Sequence, residues 1–235
     1  MLATTNKEIM TTALSYNDNR FISATPIFGV AEINNKSKEK QAKLKNAPLI
    51  GSIIGTGIST AFAISQTKQS KNLLNRILKT DFANTKNIFI IALGSIIGGF
   101  AGGMIEDKGK NKWKKLKEAN FQLLSNVAFP LLFLTLFKKA NTKLTEKANK
   151  AVKNISNFIS VFGGVAVGAV IGSGIANKIN SSISPQEEHK RNLGVKDFLI
   201  HVDDLPVALA FAGIPYIDKL IPFILVSRGY DVGKQ

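Results

Sequence analysis

The sequence predicts an all-α integral membrane protein: a glycine-packed bundle of four transmembrane helices, followed by a broken C-terminal helix pair or a fifth span. Three observations lead there. Although 20% of the residues are Asp, Glu, Lys or Arg, four stretches carry no charge: Asn46–Thr67, Asn87–Ile105, Ala119–Phe137 and Asn154–Asn177. Each run is about 19 to 24 residues long, enough at about 1.5 Å per helical residue to cross a hydrocarbon layer of roughly 30 Å. The runs are apolar all round, as in IFIIALGSIIGGFAGG, and a chain of 235 residues has too little other material to bury four such helices in water. Randomly ordered charge at this density would leave about one run of this length.

Residues 1–45 carry seven basic and four acidic residues and read as a polar, mostly disordered tail, interrupted by the apolar patch Phe21–Ala31. Residues 46–178 form the four-span domain. Gly51-Ser-Ile-Ile-Gly55, Gly94-Ser-Ile-Ile-Gly98 and Gly168-Ala-Val-Ile-Gly172 repeat one pattern in the first, second and fourth runs. Gly102 extends the second ridge and Gly164 the fourth. Glycines at four-residue spacing let helix backbones approach closely, so these three ridges are expected to meet one another within or between chains. The third run has no glycine and is rich in Leu and Phe, which suits contact with lipid. Pro130 in it removes a backbone donor, leaves the Asn126 carbonyl without its helical partner, and predicts a kink.

Two connectors have helical character. Ser70–Phe82 puts Leu73, Leu74, Ile77, Leu78 and Phe82 on one face and Lys71, Arg76 and Lys79 elsewhere. Asn111–Asn120 pairs Trp113 and Leu116 with lysines. Both fit helices at the headgroup zone, or extensions of the spanning helices.

Residues 179–197 form a polar connector containing His189, and 198–235 the C-terminal pair. Asp203 and Asp204 stand before Pro206, as caps of a first short helix. Gly213 and Pro215 are hinges that break it, and Asp218 is placed to cap a second piece over Lys219–Ser227. Neither piece is long enough to cross, which predicts a re-entrant or interfacial hairpin. The alternative is one bent fifth span over Leu205–Ser227, with Asp218 and Lys219 deep in the bilayer.

His201, Asp203, Asp204 and Asp218 form the one candidate ion or proton site, because broken helices with acids at their junctions build such sites in transporters. Catalytic signatures are missing, no metal site or cofactor is expected, and without cysteine there is no thiolate chemistry. The net charge of +15 is distributed to the flanks of the apolar runs, which points to the bilayer and its anionic headgroups as partners, not to nucleic acid. Lys plus Arg number 20 in the tail, the second connector and the region after the fourth run, against 11 in the other two connectors, which favours cytoplasmic termini. Richness in Asn, Lys and Ile resembles AT-rich bacterial coding and places the expected multi-pass protein in a bacterial inner membrane. The functional expectation is a non-enzymatic protein, possible as a homo-oligomer, that scaffolds, remodels or permeabilises the bilayer through glycine-mediated assembly. The alternative is a small transporter or channel using Asp203, Asp204 and Asp218.

Overall fold

The computed structural model describes residues 46–67, 72–183, 205–211, 214 and 216–235, and every regular element among them is helical. Among the described residues, four helices are long and apolar enough to cross a membrane. The tail expected over 1–45 lies outside the described residues, as do His189, His201, Asp203, Asp204, Gly213 and Pro215.

Helix α1 (Ala47–Ser65) has Pro48 in its first turn, where a missing N–H is no loss. A short helix, α2 (Leu73–Lys79), and then α3 (Thr85–Glu106) follow, each begun by an asparagine: Asn72 accepts from the Leu74 N–H and Asn84 from the Lys86 N–H. Arg76 of α2 reaches back and donates to Ile64 O near the end of α1, at 3.0 Å, and to Thr67 O just past it, at 3.2 Å. Ile64 O also accepts from the Thr67 N–H, and the cation complements the helix dipole there. Leu73, Leu74 and Leu78 face outward.

Next, α4 (Lys112–Leu123), a π-helical segment (Leu124–Ala128) and α5 (Phe129–Leu144) run without a break. The irregularity expected at Pro130 is thus a π segment just ahead of it, in which the Phe129 N–H reaches back to Leu124 O. The helix around Trp113 is an extension of the third long helix and not a separate one. Helix α6 (Lys150–Ile183) outruns the fourth charge-free stretch at both ends.

The C-terminal region holds two helical pieces whose bounds differ from those expected. Helix α7 (Leu205–Phe211) is short. After Tyr216, which takes left-handed backbone angles, a 3-10 turn (Ile217–Leu220) leads directly into α8 (Ile221–Gly233). The second piece therefore runs through Ser227, Arg228 and Asp231 instead of stopping at Ser227. Hydrophobicity ends at Val226, but helical backbone does not.

Helices α1 and α3 are antiparallel. Helix α8 lies against both, parallel to α3, since Gly229 meets Ser95 and Gly99 while Gly233 meets Gly99 and Gly103. Helix α6 packs antiparallel along α4, the π segment and α5. The starts of α1 and α4 and the ends of α3, α6 and α8 define a proximal end; the α5–α6 turn and the start of α8 define a distal end. Ile91, Leu134, Val161, Phe211 and Ile221 fill an apolar core where the helices converge.

Candidate functional site

The backbones of α1 and α3 approach so closely that side chains are excluded. A methyl group added to Gly98 would overlap the carbonyl oxygen of Gly51, and one on Gly55 would overlap that of Gly94. Gly102 lies against Ala47 and Pro48. The glycines of α6 do not join them: Gly164 faces Leu134, Gly168 faces Phe129 and Pro130, and Gly172 faces Leu124 and Ser125. Within the chain, then, the third long helix receives the ridge of the fourth, although its own sequence is bulky. Only Gly172 meets the π segment itself; Gly164 and Gly168 lie against the backbone of α5. A methyl on Gly168 would sit 2.5 Å from the Phe129 oxygen.

Two glycines missed by the sequence reading, Gly229 and Gly233, make the same kind of contact from α8. A methyl on Gly229 would meet the carbonyl oxygen of Ser95. They too are four apart, but in a polar segment where no span was sought. The Ser95 hydroxyl donates to Leu225 O at 2.7 Å, tying α3 to α8.

Polar side chains collect in the proximal half. On α4, Lys115, Glu118 and Gln122 share one helical face, and they are only 2%, 6% and 4% exposed. Trp113 and Leu116 face outward on the same helix, as do Lys112 and Lys114. Gln122 donates to the Glu118 carboxylate at 2.8 Å, and Asn126 donates to the Gln122 oxygen at 2.6 Å, extending a ladder into the π segment. Lys115 pairs with Asp107 at 3.1 Å and donates to the Gln235 carbonyl. Asn120 and Asn180 bind α4 to α6, and the Ser125 hydroxyl donates to Ala169 O at 3.2 Å. Arg228 of α8 is 4% exposed, and α8 packs against α4. Counting about 1.5 Å per residue from the Lys115–Gln235 contact, Arg228 and Gln122 stand at one depth, about 10 Å in.

Asp107 is in the turn between α3 and α4, outside the apolar run. Burial pushes its carboxyl up, but Lys115 and the backbone N–H groups of Asn111 and Gly109 outweigh that and hold it below the ordinary value. Because the folded value is depressed, this contact stabilises in full above the ordinary carboxylate range and is lost as pH falls through the lowered value. Thermal unfolding in detergent from neutrality to about pH 2 should show an acid limb that Asp107→Asn flattens, with lower stability at neutral pH. An unchanged acid limb in the variant would show that Asp107 contributes nothing.

Asp218 is the one described member of the candidate ion site. It accepts from the Phe82 N–H at 3.2 Å and pairs with Lys219 at 2.7 Å. Lys219 in turn donates to Thr80 O and lies 5.2 Å from the Phe82 ring centroid. Instead of capping the second helix, Asp218 fastens the distal start of α8 to the connector before α3. Among the described residues no three His, Cys, Asp or Glu side chains are grouped to hold a metal ion. No known family model matches the chain, and no curated protein or solved structure is similar to it.

Proposed function

We propose that the chain is a non-enzymatic, multi-pass membrane protein, of a bacterial inner membrane, that scaffolds, remodels or permeabilises the bilayer through glycine-mediated helix assembly. The observation that carries this reading is the apolar outward surface of the bundle, together with three charged side chains buried within it. Outward positions are taken by Ile58, Phe62, Ile97, Leu132, Ile155 and Ile159, while Lys115, Glu118 and Arg228 are inside. In water such an apolar surface would drive aggregation; in lipid it is solvated. Close backbone approach at Gly51, Gly55, Gly94 and Gly98 then supplies dispersion contacts that lipid tails cannot replace. Lysines 108, 110, 112, 114 and 117 surround Trp113 at the proximal end, a composition suited to an anionic headgroup layer.

The buried acid–amide ladder of α4 favours a second reading, a small channel or transporter, because ionisable groups inside a membrane usually mark a pathway. Two measurements separate these ideas. Under alkaline carbonate extraction the protein should stay with the membrane pellet; release into the supernatant would sink both. In liposomes, scaffolding predicts altered vesicle size, and permeabilisation predicts dye release, each indifferent to a pH gradient. Flux that needs the gradient and is lost in Glu118→Gln or Asp204→Asn would establish transport instead.

A further inference from the structure

We infer that Ile217–Gly233 is a conditional fifth crossing element, a segment that enters the bilayer only by docking into a slot built from α1, α3 and α4. The inference rests on the membrane reading above and deepens it. The segment runs the length of the bundle: its start is fastened to Thr80 and Phe82 at the distal end, and the residues just past it meet Lys115 at the proximal end. Yet it is a poor membrane helix by itself. Asp218, Lys219, Arg228 and Asp231 fall within it, and Pro222 is near its start. A charge within a spanning helix is costly in lipid unless it is matched by polar groups of the bundle.

The slot supplies what lipid lacks. Along α3, Ser95, Gly99 and Gly103 present backbone and one hydroxyl to α8, and Gly229 and Gly233 leave room for that approach. Ser52 of α1 closes the other side, near Gly99. Arg228, buried at the depth of Gln122, is withdrawn from lipid altogether, whereas Phe223 is 75% exposed on the outward face. One face of the helix thus suits lipid and the other suits only the slot. The ligand of this slot is a helix of defined chemistry: glycines four apart, with an arginine just before the first.

Single cysteines test this, as the native sequence has none. Lys110→Cys and Lys147→Cys report the proximal and distal turns of the four long helices, and Lys234→Cys and Tyr216→Cys report the two ends of the segment. In sealed vesicles, a membrane-impermeant maleimide should label 110 and 234 from one face and 147 and 216 from the other. Labelling of 110 and 147 from the same face would overturn the membrane reading itself. Labelling of 216 and 234 from the same face, with 110 and 147 opposed, would overturn only the fifth crossing.

Gly229→Leu is expected to eject the segment, moving 234 to the face of 216 while 110 and 147 stay. Adding Arg228→Leu and Asp231→Leu should restore 234 to the face of 110, because an apolar helix crosses without the slot. If 234 keeps its place in Gly229→Leu, or if 110 and 147 are scrambled with it, entry is not conditional on a preformed slot and the inference fails.

Discussion

Gly98→Leu should abolish the folded state, whereas Gly57→Leu, at an equally uncharged position on the partner helix, should leave it intact. At Gly98 even a methyl group would meet the Gly51 carbonyl oxygen and lie 2.9 Å from its carbon, and backbone atoms cannot swing aside as a flexible side chain can. Overpacking in a core that can adjust costs about 1–3 kcal/mol, and this site has no such freedom, so α1 and α3 must separate. At Gly57 a methyl meets nothing within 4 Å, and a leucine there gains helix propensity worth about 1 kcal/mol. Gly168→Leu and Gly174→Leu form the matching pair on α6, the first facing Phe129 and Pro130 and the second facing open space. Thermal stability and gel-filtration profiles in mild detergent would measure all four. Equal behaviour of Gly98→Leu and Gly57→Leu would show that the close approach does not hold the bundle together.

These pairs also mark where the sequence stops being informative. Charge-free length is a strong signal, and the four long helices are placed by it to within a turn or so at most ends. The missing donor of Pro130 is legible in the sequence, whereas the π segment over Leu124–Ala128 is not. A glycine ridge reveals that some backbone lies close by but carries no information about which one. The repeat shared by the first, second and fourth runs suggested mutual contact, while Gly168 instead receives the backbone at Phe129 and Pro130. Gly229 and Gly233 escaped notice because they follow an arginine and flank an aspartate. Lys115 and Glu118 read as connector residues because Lys112, Lys114 and Lys117 surround them. Their three-residue spacing, continued to Gln122, was the available sign of an inward polar face.

The buried charges should be strongly coupled. Arg228→Met is expected to destabilise the bundle by about 3–5 kcal/mol, the usual result of removing one partner from a buried, compensated charge set. The acid exposed to this loss is Glu118, 6% exposed on the helix against which α8 packs and continued by Gln122 and Asn126. Lys115, on the same face three residues earlier, is already paired with Asp107, so the loss of Arg228 is expected to leave the Glu118 charge less well compensated. Arg228→Lys should lose less, since a charge remains, though an ammonium lacks the planar fork that contacts several acceptors at once. Glu118→Gln in the Arg228→Met background should recover a large part of the loss, because an amide pair fits the Gln122–Asn126 ladder without a net charge. A double-mutant cycle on detergent unfolding gives the coupling directly. A coupling of about 2 kcal/mol or more would place both residues in one electrostatic unit that holds α8 to α4. Purely additive losses would mean that Arg228 is compensated elsewhere, and the α4 ladder would then have no part in seating the C-terminal helix.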